Sequence, residues 1–152
     1  MINVKSGLPV TTIIGNAPDS VRVYNGYTDL GATSKNFFGV NIPVITSGNN
    51  IDTSTVGTYY IWYVVEDEWG NRDSVIRVVK VIDDVAPMLA LTGNDTITIE
   101  VFADINEPGS SATDNYYKGV SITVDSSMVD KNVVGIYPIT YTAIDSSANT
   151  SV

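Results

Sequence analysis

The feature that most constrains this chain is that it is written twice. Pro9 recurs as Pro87, Gly15-Asn16 as Gly93-Asn94, Gly31 as Gly109, and Val56-Gly57 as Val134-Gly135. Tyr59 recurs as Tyr137, Tyr63 as Tyr141, Asp67 as Asp145 and Asn71 as Asn149, each pair 78 residues apart (87 − 9, 145 − 67). Between Gly31 and Val56 the register slips by two and recovers, with Gly39-Val40 opposite Gly119-Val120, as a loop insertion offset by a later deletion would produce. Self-similarity at a fixed period marks a repeated unit of structure. Residues 1–83 and 84–152 therefore read as two copies of one module, each long enough for a small domain with its own core.

Within each copy the periodicity is that of strands. Ser20–Tyr24, Thr96–Val101 and Ser121–Val124 alternate apolar and polar residues, which buries one face and wets the other. Turn-forming Gly-Asn, Pro-Gly and Ser-Gly pairs separate such runs, and sustained helical spacing is absent. Short strands at such intervals argue for an all-β sandwich or barrel, and the tyrosine corners described next for two tandem immunoglobulin-like antiparallel sandwiches. In copy two the longest strand is Tyr137–Asp145, whose parity buries Tyr137, Ile139, Tyr141 and Ala143. Transferred to copy one, that parity buries Tyr59, Ile61, Tyr63 and Val65 and turns Tyr60, Trp62 and Val64 outward. A Val-Gly corner followed by Tyr matches a tyrosine corner, so the Tyr59 and Tyr137 hydroxyls should reach nearby backbone.

Ser74–Ile82 reads as the last strand of copy one. Arg77 and Lys80 fall on opposite parities there, and a β-bulge across Arg77–Val79 would reconcile them. Copy two has only Thr150, Ser151 and Val152 after Asn149, so it is expected to lack its final strand. Met1–Gly7 aligns with Val79–Val85, the tail of a preceding last strand plus a linker. A sandwich short of a strand exposes core side chains and an unpaired edge. Either the chain is a piece of a longer array, or a neighbouring chain donates the strand.

Composition removes whole classes of function. Histidine and cysteine are absent, so zinc, iron–sulfur and haem sites lose their usual ligands, and histidine- or cysteine-based nucleophilic triads cannot be assembled. A net charge of −9 repels phosphates and argues against nucleic acid as a partner. No run approaches the roughly 20 apolar residues of a membrane span, and Met1–Lys5 does not open a signal peptide. Glycines stand singly at turns and form no phosphate-cradling loop, and the acids fall mainly in turns, so the chain is read as no enzyme.

Two copies of a common pattern carry a family resemblance. In copy two it runs through Ala86-Pro87, Glu107–Asn115, Asn132–Tyr137 and Tyr141–Asp145 to Asn149. In copy one it runs through Asp29–Thr33, Asp52–Tyr59 and Asp67–Asn71. On these residues the chain resembles the bacterial immunoglobulin-like surface repeats of the insecticidal-crystal-protein type, similar in appearance to hyalin repeats. Copy one departs in lacking Thr-Asp-Asn at Ser34-Lys35-Asn36, and copy two in having Ala148 where a turn glycine is expected. The resemblance implies tandem modules in secreted or surface-anchored bacterial proteins, with a spacer or adhesion role. A phage virion decoration or tail-fibre module, or an accessory carbohydrate-binding module of a secreted enzyme, are the alternatives.

Two sets of residues are candidate sites. Tyr60 and Trp62, facing outward on one sheet, could stack on carbohydrate or contact a surface protein; the alternative is packing under a loop or against a neighbouring module. Asp83, Asp84 and Asp114 could hold calcium, whose six to eight oxygen ligands come from carboxylates and carbonyls, or serve as solvated linker and loop residues. Asp67 and Asp145 read as turn formers, because Asp bonds its own backbone two residues on. Neighbouring modules are the expected partners, without membrane insertion.

Overall fold

A computed structural model describes residues 7–116 and 119–152. The proposed strand tail at Met1–Ser6 lies outside the described residues. The chain divides into two units, Met1–Asp83 and Asp84–Val152. Both are built from strands, and no helix long and apolar enough to cross a membrane occurs among the described residues.

Unit 1 contains β1 (Val10–Ile13), β2 (Asp19–Arg22), β3 (Ala32–Lys35), β4 (Asn41–Ile42), β5 (Ile45–Ser47), β6 (Gly57–Glu66) and β7 (Arg72–Ile82). One sheet has the order β1-β3-β4 and the other β2-β7-β6-β5. Pairing is antiparallel except between β2 and β7, which run parallel from Asp19↔Val79 to Arg22↔Ile82. The sheets close on a core of Ile61, Tyr63 and Val79, against which Ile13 and Ala32 pack from the opposite layer. Full burial of side chains such as Ile61 and Val79 stabilises the unit by about 1.5–3 kcal/mol each. The alternation along β6 is as its sequence requires: Ile61, Tyr63 and Val65 are buried, and Tyr60, Trp62 and Val64 exposed.

No bulge interrupts β7. The β6–β7 ladder runs unbroken from Gly57↔Val81 to Glu66↔Arg72. Arg77 instead shares the inward face with Val79 and Val81 and is completely buried, while Lys80 points to solvent. The bulge expected across Arg77–Val79 is corrected on this point, and the reason is chemical. The guanidinium finds enough buried acceptors to keep the inward place that the alternation assigns it.

Unit 2 contains β8 (Met88–Leu91), β9 (Ser110–Thr113), β10 (Val120–Asp125), β11 (Thr140–Asp145) and β12 (Thr150–Ser151), in sheets β8-β9 and β10-β11-β12. Moved by 78 residues, β8 and β9 coincide with β1 and β3, and β12 with the first two residues of β7. Two expected strands are not formed in full. Thr96–Val101 pairs with nothing among the described residues, and β11 omits Tyr137–Ile139. Both have the same cause. Their counterparts in unit 1, Asp19–Arg22 and Tyr59–Ile61, pair with residues 77–82 of β7, and residues equivalent to 77–82 are not in this sequence. Val101 is consequently 36% exposed where its counterpart Val23 is 5% exposed.

Finer details repeat as well. The Tyr59 hydroxyl donates to the Thr55 carbonyl at 2.9 Å and the Tyr137 hydroxyl to the Val133 carbonyl at 3.1 Å, the two expected tyrosine corners. Asp67 accepts from the Trp69 and Asn71 amides, and Asp145 from those of Ser147 and Asn149. Burial pushes both carboxyls up, but these bonds, led by the Asn71 and Asn149 side chains, hold them below the usual range. Each turn needs a left-handed residue, supplied by Gly70 (φ 80°) in the first and Ala148 (φ 68°) in the second. A Cβ disfavours that conformation by roughly 1–2 kcal/mol, partly offset by the greater chain entropy that glycine loses on folding. Ala148→Gly is therefore expected to stabilise unit 2 by up to about 1 kcal/mol, read as a higher denaturation midpoint.

Candidate functional site

The outer face of β6 places Tyr60 (52% exposed) and Trp62 (45%) one above the other, two residues apart on the same side of the strand. Register sets their neighbours. Trp62 lies opposite Ser47 of β5 and Ile76 of β7, and Val64 lies opposite Ile45. Ile45, Val64 and Ile76 are also exposed, so the aromatic pair sits in an apolar strip running across three strands. Beside it Gly48 turns the end of β5 with φ 74°, and a Cβ there would meet the Tyr60 carbonyl oxygen at 2.5 Å, so only glycine lets the backbones approach this closely. In unit 2 the matching places hold Pro138 and Thr140.

A second aromatic group escaped the sequence reading. Phe37 and Phe38 meet edge to face at 5.4 Å between ring centroids, and Phe38 meets Trp69 at the same separation. All three are exposed and lie in the β3–β4 and β6–β7 loops, so they cap one end of unit 1. The adjacent Phe-Phe between two strands was the available signal. Tyr24 and Phe102 form a third set, repeated at matching positions, exposed and in the left-handed region (φ 64° and 69°). Their amides donate to the Thr53 and Lys131 carbonyls, which anchors the strained residues.

The acidic candidates are placed as follows. Asp83 is buried and Asp84 is exposed. In unit 2, Asp114 accepts from the Tyr116 amide through Oδ2 at 2.9 Å, while its Oδ1 is buried without a hydrogen-bond partner among the described residues. Asp145, read from sequence as a turn former, brings a carboxylate oxygen within 4.8 Å of one from Asp114. Asp84 is not part of that pair, and a cation held there would need further oxygens from elsewhere.

Beneath the outer strip, unit 1 holds a buried polar network. The Arg77 Nε–H donates to the Tyr63 hydroxyl at 3.1 Å and lies 3.0 Å from Asp29 Oδ1. Nη1 donates to the Asn16 carbonyl at 2.8 Å, and Nη2 to the carbonyls of Ile14 at 2.6 Å and Gly31 at 3.1 Å. Tyr63 donates in turn to Asp29 at 2.6 Å, and Tyr27 to Asp19 at 3.2 Å. Burial, then the hydrogen bond to Asp29, raises the Tyr63 phenol. Burial and the nearby Asp19 charge push the Tyr27 phenol up to about 12. This network is a fastening between the two sheets, sealed from solvent at the arginine.

Two-layered antiparallel sandwiches with tyrosine corners, written in tandem, define an immunoglobulin-like module pair. The chain belongs to the family described as bacterial surface protein, Ig-like domain, which it matches over residues 11–81 and 89–152. It is 36% identical over 112 residues to an uncharacterised 81.3 kDa protein of Acholeplasma phage L2, a match covering 70% of this chain and 15% of that protein. It is 26% identical over 145 residues to the pesticidal crystal protein Cry22Aa of Bacillus thuringiensis, covering 84% of this chain and 20% of that one. The chain thus spans between 15% and 20% of the length of these relatives. Among solved structures it is similar to a lipoprotein of Bacteroides thetaiotaomicron, with a TM-score of 0.45 and 22% identity over 52% of this chain and 40% of that one.

Proposed function

We propose that this chain is a non-enzymatic spacer and adhesion segment of an extracellular protein, with the outer face of β6 as its contact surface. The observation that carries this reading is the exposed Tyr60–Trp62 strip with its Ile45, Val64 and Ile76 surround, which offers flat aromatic faces to a sugar ring or an apolar protein surface. Asymmetry between the copies supports it, since unit 2 keeps the fold without the aromatics. Binding on a glycan array, or to intact bacterial surfaces, is expected to fall at least about tenfold on Trp62→Ala, the equivalent of one 1.4 kcal/mol contact. Stability should stay within about 0.5 kcal/mol, as befits a surface side chain. Binding unaffected by Trp62→Ala and Tyr60→Ala together would leave a spacer role alone.

A second reading, a virion decoration or tail-fibre module, is favoured by the phage relative. Copurification of the chain with phage particles, rather than with cell envelopes, distinguishes it.

A further inference from the structure

Two turns, one in each unit, hold an aromatic residue where backbone sterics favour glycine. In unit 1 the Asn25 amide donates to the Arg22 carbonyl at 3.1 Å, which closes a four-residue turn with Tyr24 in third place. In unit 2 the Ala103 amide donates to the Glu100 carbonyl at 3.1 Å and closes the same turn around Phe102. With φ of 64° and 69°, both residues lie where a Cβ is disfavoured and glycine is the usual occupant of that place. Backbone bonds pin both corners, from the Tyr24 amide to the Thr53 carbonyl at 2.7 Å and from the Phe102 amide to the Lys131 carbonyl at 2.9 Å. Glycine would make those bonds equally well. Val23, just before Tyr24, is the turn residue that is buried, whereas Tyr24 is 58% exposed and Phe102 73%.

Strain kept at an exposed side chain in both copies points to a contact made outside the turn. The neighbouring groups indicate its chemistry. Across the backbone bond from Tyr24 lie Asp52 and Ser54, both exposed, with Asp52 Oδ1 accepting from the Ser54 amide at 2.9 Å. Beside Phe102 their counterparts are Asp130 and Asn132, also exposed, with Asp130 Oδ1 accepting from the Asn132 amide at 2.9 Å. Each ring is thus accompanied by carboxylate and hydroxyl or amide groups, unlike the apolar surround of the β6 strip. A sugar ring matches that set, because its C–H face lies on an aromatic while its hydroxyls bond the polar groups at the side. A net charge of −9 turns anionic polymers away, which leaves a neutral glycan. We propose that the Tyr24 and Phe102 turns are equivalent binding sites for a neutral polysaccharide, one in each unit. The first is separate from the β6 face, since β2 ends opposite Ile82 whereas Trp62 lies opposite Ile76. A polymer that repeats its ring suits a chain that repeats its site, because weak contacts gain from being linked.

The test is affinity electrophoresis of the whole chain through gels carrying dextran, glucomannan or xyloglucan, each neutral and soluble. At least one of the three is expected to retard it. Tyr24→Gly combined with Phe102→Gly should raise the dissociation constant at least about tenfold, with a denaturation midpoint at or above that of the parent. A chain that binds less while holding its fold as well has lost a contact and not its shape. No retardation in any of the three gels would overturn the proposal, as would equal retardation of the glycine variant. Weaker retardation accompanied by a lower midpoint would assign the two aromatics to the fold and overturn it too.

Discussion

Arg77→Met should destabilise unit 1 by about 3–5 kcal/mol, although it puts an apolar side chain of similar length into an apolar layer. The loss comes from what remains behind. Without the guanidinium, Asp29 is left beside the core with only the Tyr63 hydroxyl as partner, and the carbonyls of Ile14, Asn16 and Gly31 each lose a donor. An acceptor stranded in a dry interior costs the desolvation that the hydrogen bond had offset. Both tryptophans, Trp62 and Trp69, lie in unit 1, so denaturant unfolding followed by tryptophan fluorescence reads this unit alone. Lys80→Met on the exposed face of the same strand is the comparison, with a change within about 0.5 kcal/mol. Equal midpoints for the two variants would mean that the network contributes nothing net.

Ile61→Ala should cost about 2–5 kcal/mol, and the same truncation at its counterpart Ile139 distinctly less. Ile61 is completely buried between the sheets, next to Tyr63 and Val79, so removing its side chain opens a cavity that close-packed neighbours cannot fill. Ile139 occupies the same place in the repeat but is only partly buried, and no strand among the described residues pairs with it as β7 pairs with Ile61. Fluorescence follows the first variant and hydrogen exchange the second. Equal losses would contradict the account of unit 2 as a partly covered core.

Much of this was legible in the residues. A period of two, repeated at a fixed offset, was sufficient to orient every side chain of β6 and to assign both tyrosine corners, since these follow from strand geometry and one turn. The outward placement of Tyr60 and Trp62 came from the same parity. What failed was what depends on distant partners. Arg77 counts as polar in any local pattern, yet its carbonyl acceptors lie 46 to 63 residues away, so its burial could not be inferred from β7 alone. Thr96–Val101 has the alternation of a strand but not the partner, and pairing, not alternation, makes a strand. The meeting of Trp69 with Phe38 was invisible for a related reason, as two loops about 30 residues apart are joined only by the fold. Asp145 was read correctly as a turn former, but its approach to Asp114 arises from loops that sequence spacing does not align.

The parallel pairing of β2 with β7 bears on how such a module responds to being pulled. A tension applied through the two ends of unit 1 draws β2 and β7 in opposite directions along their length. The bonds from Asp19↔Val79 to Arg22↔Ile82 are then loaded in shear and must yield together rather than one at a time. The four pairs between β2 and β7 thereby set the load at which unit 1 lengthens.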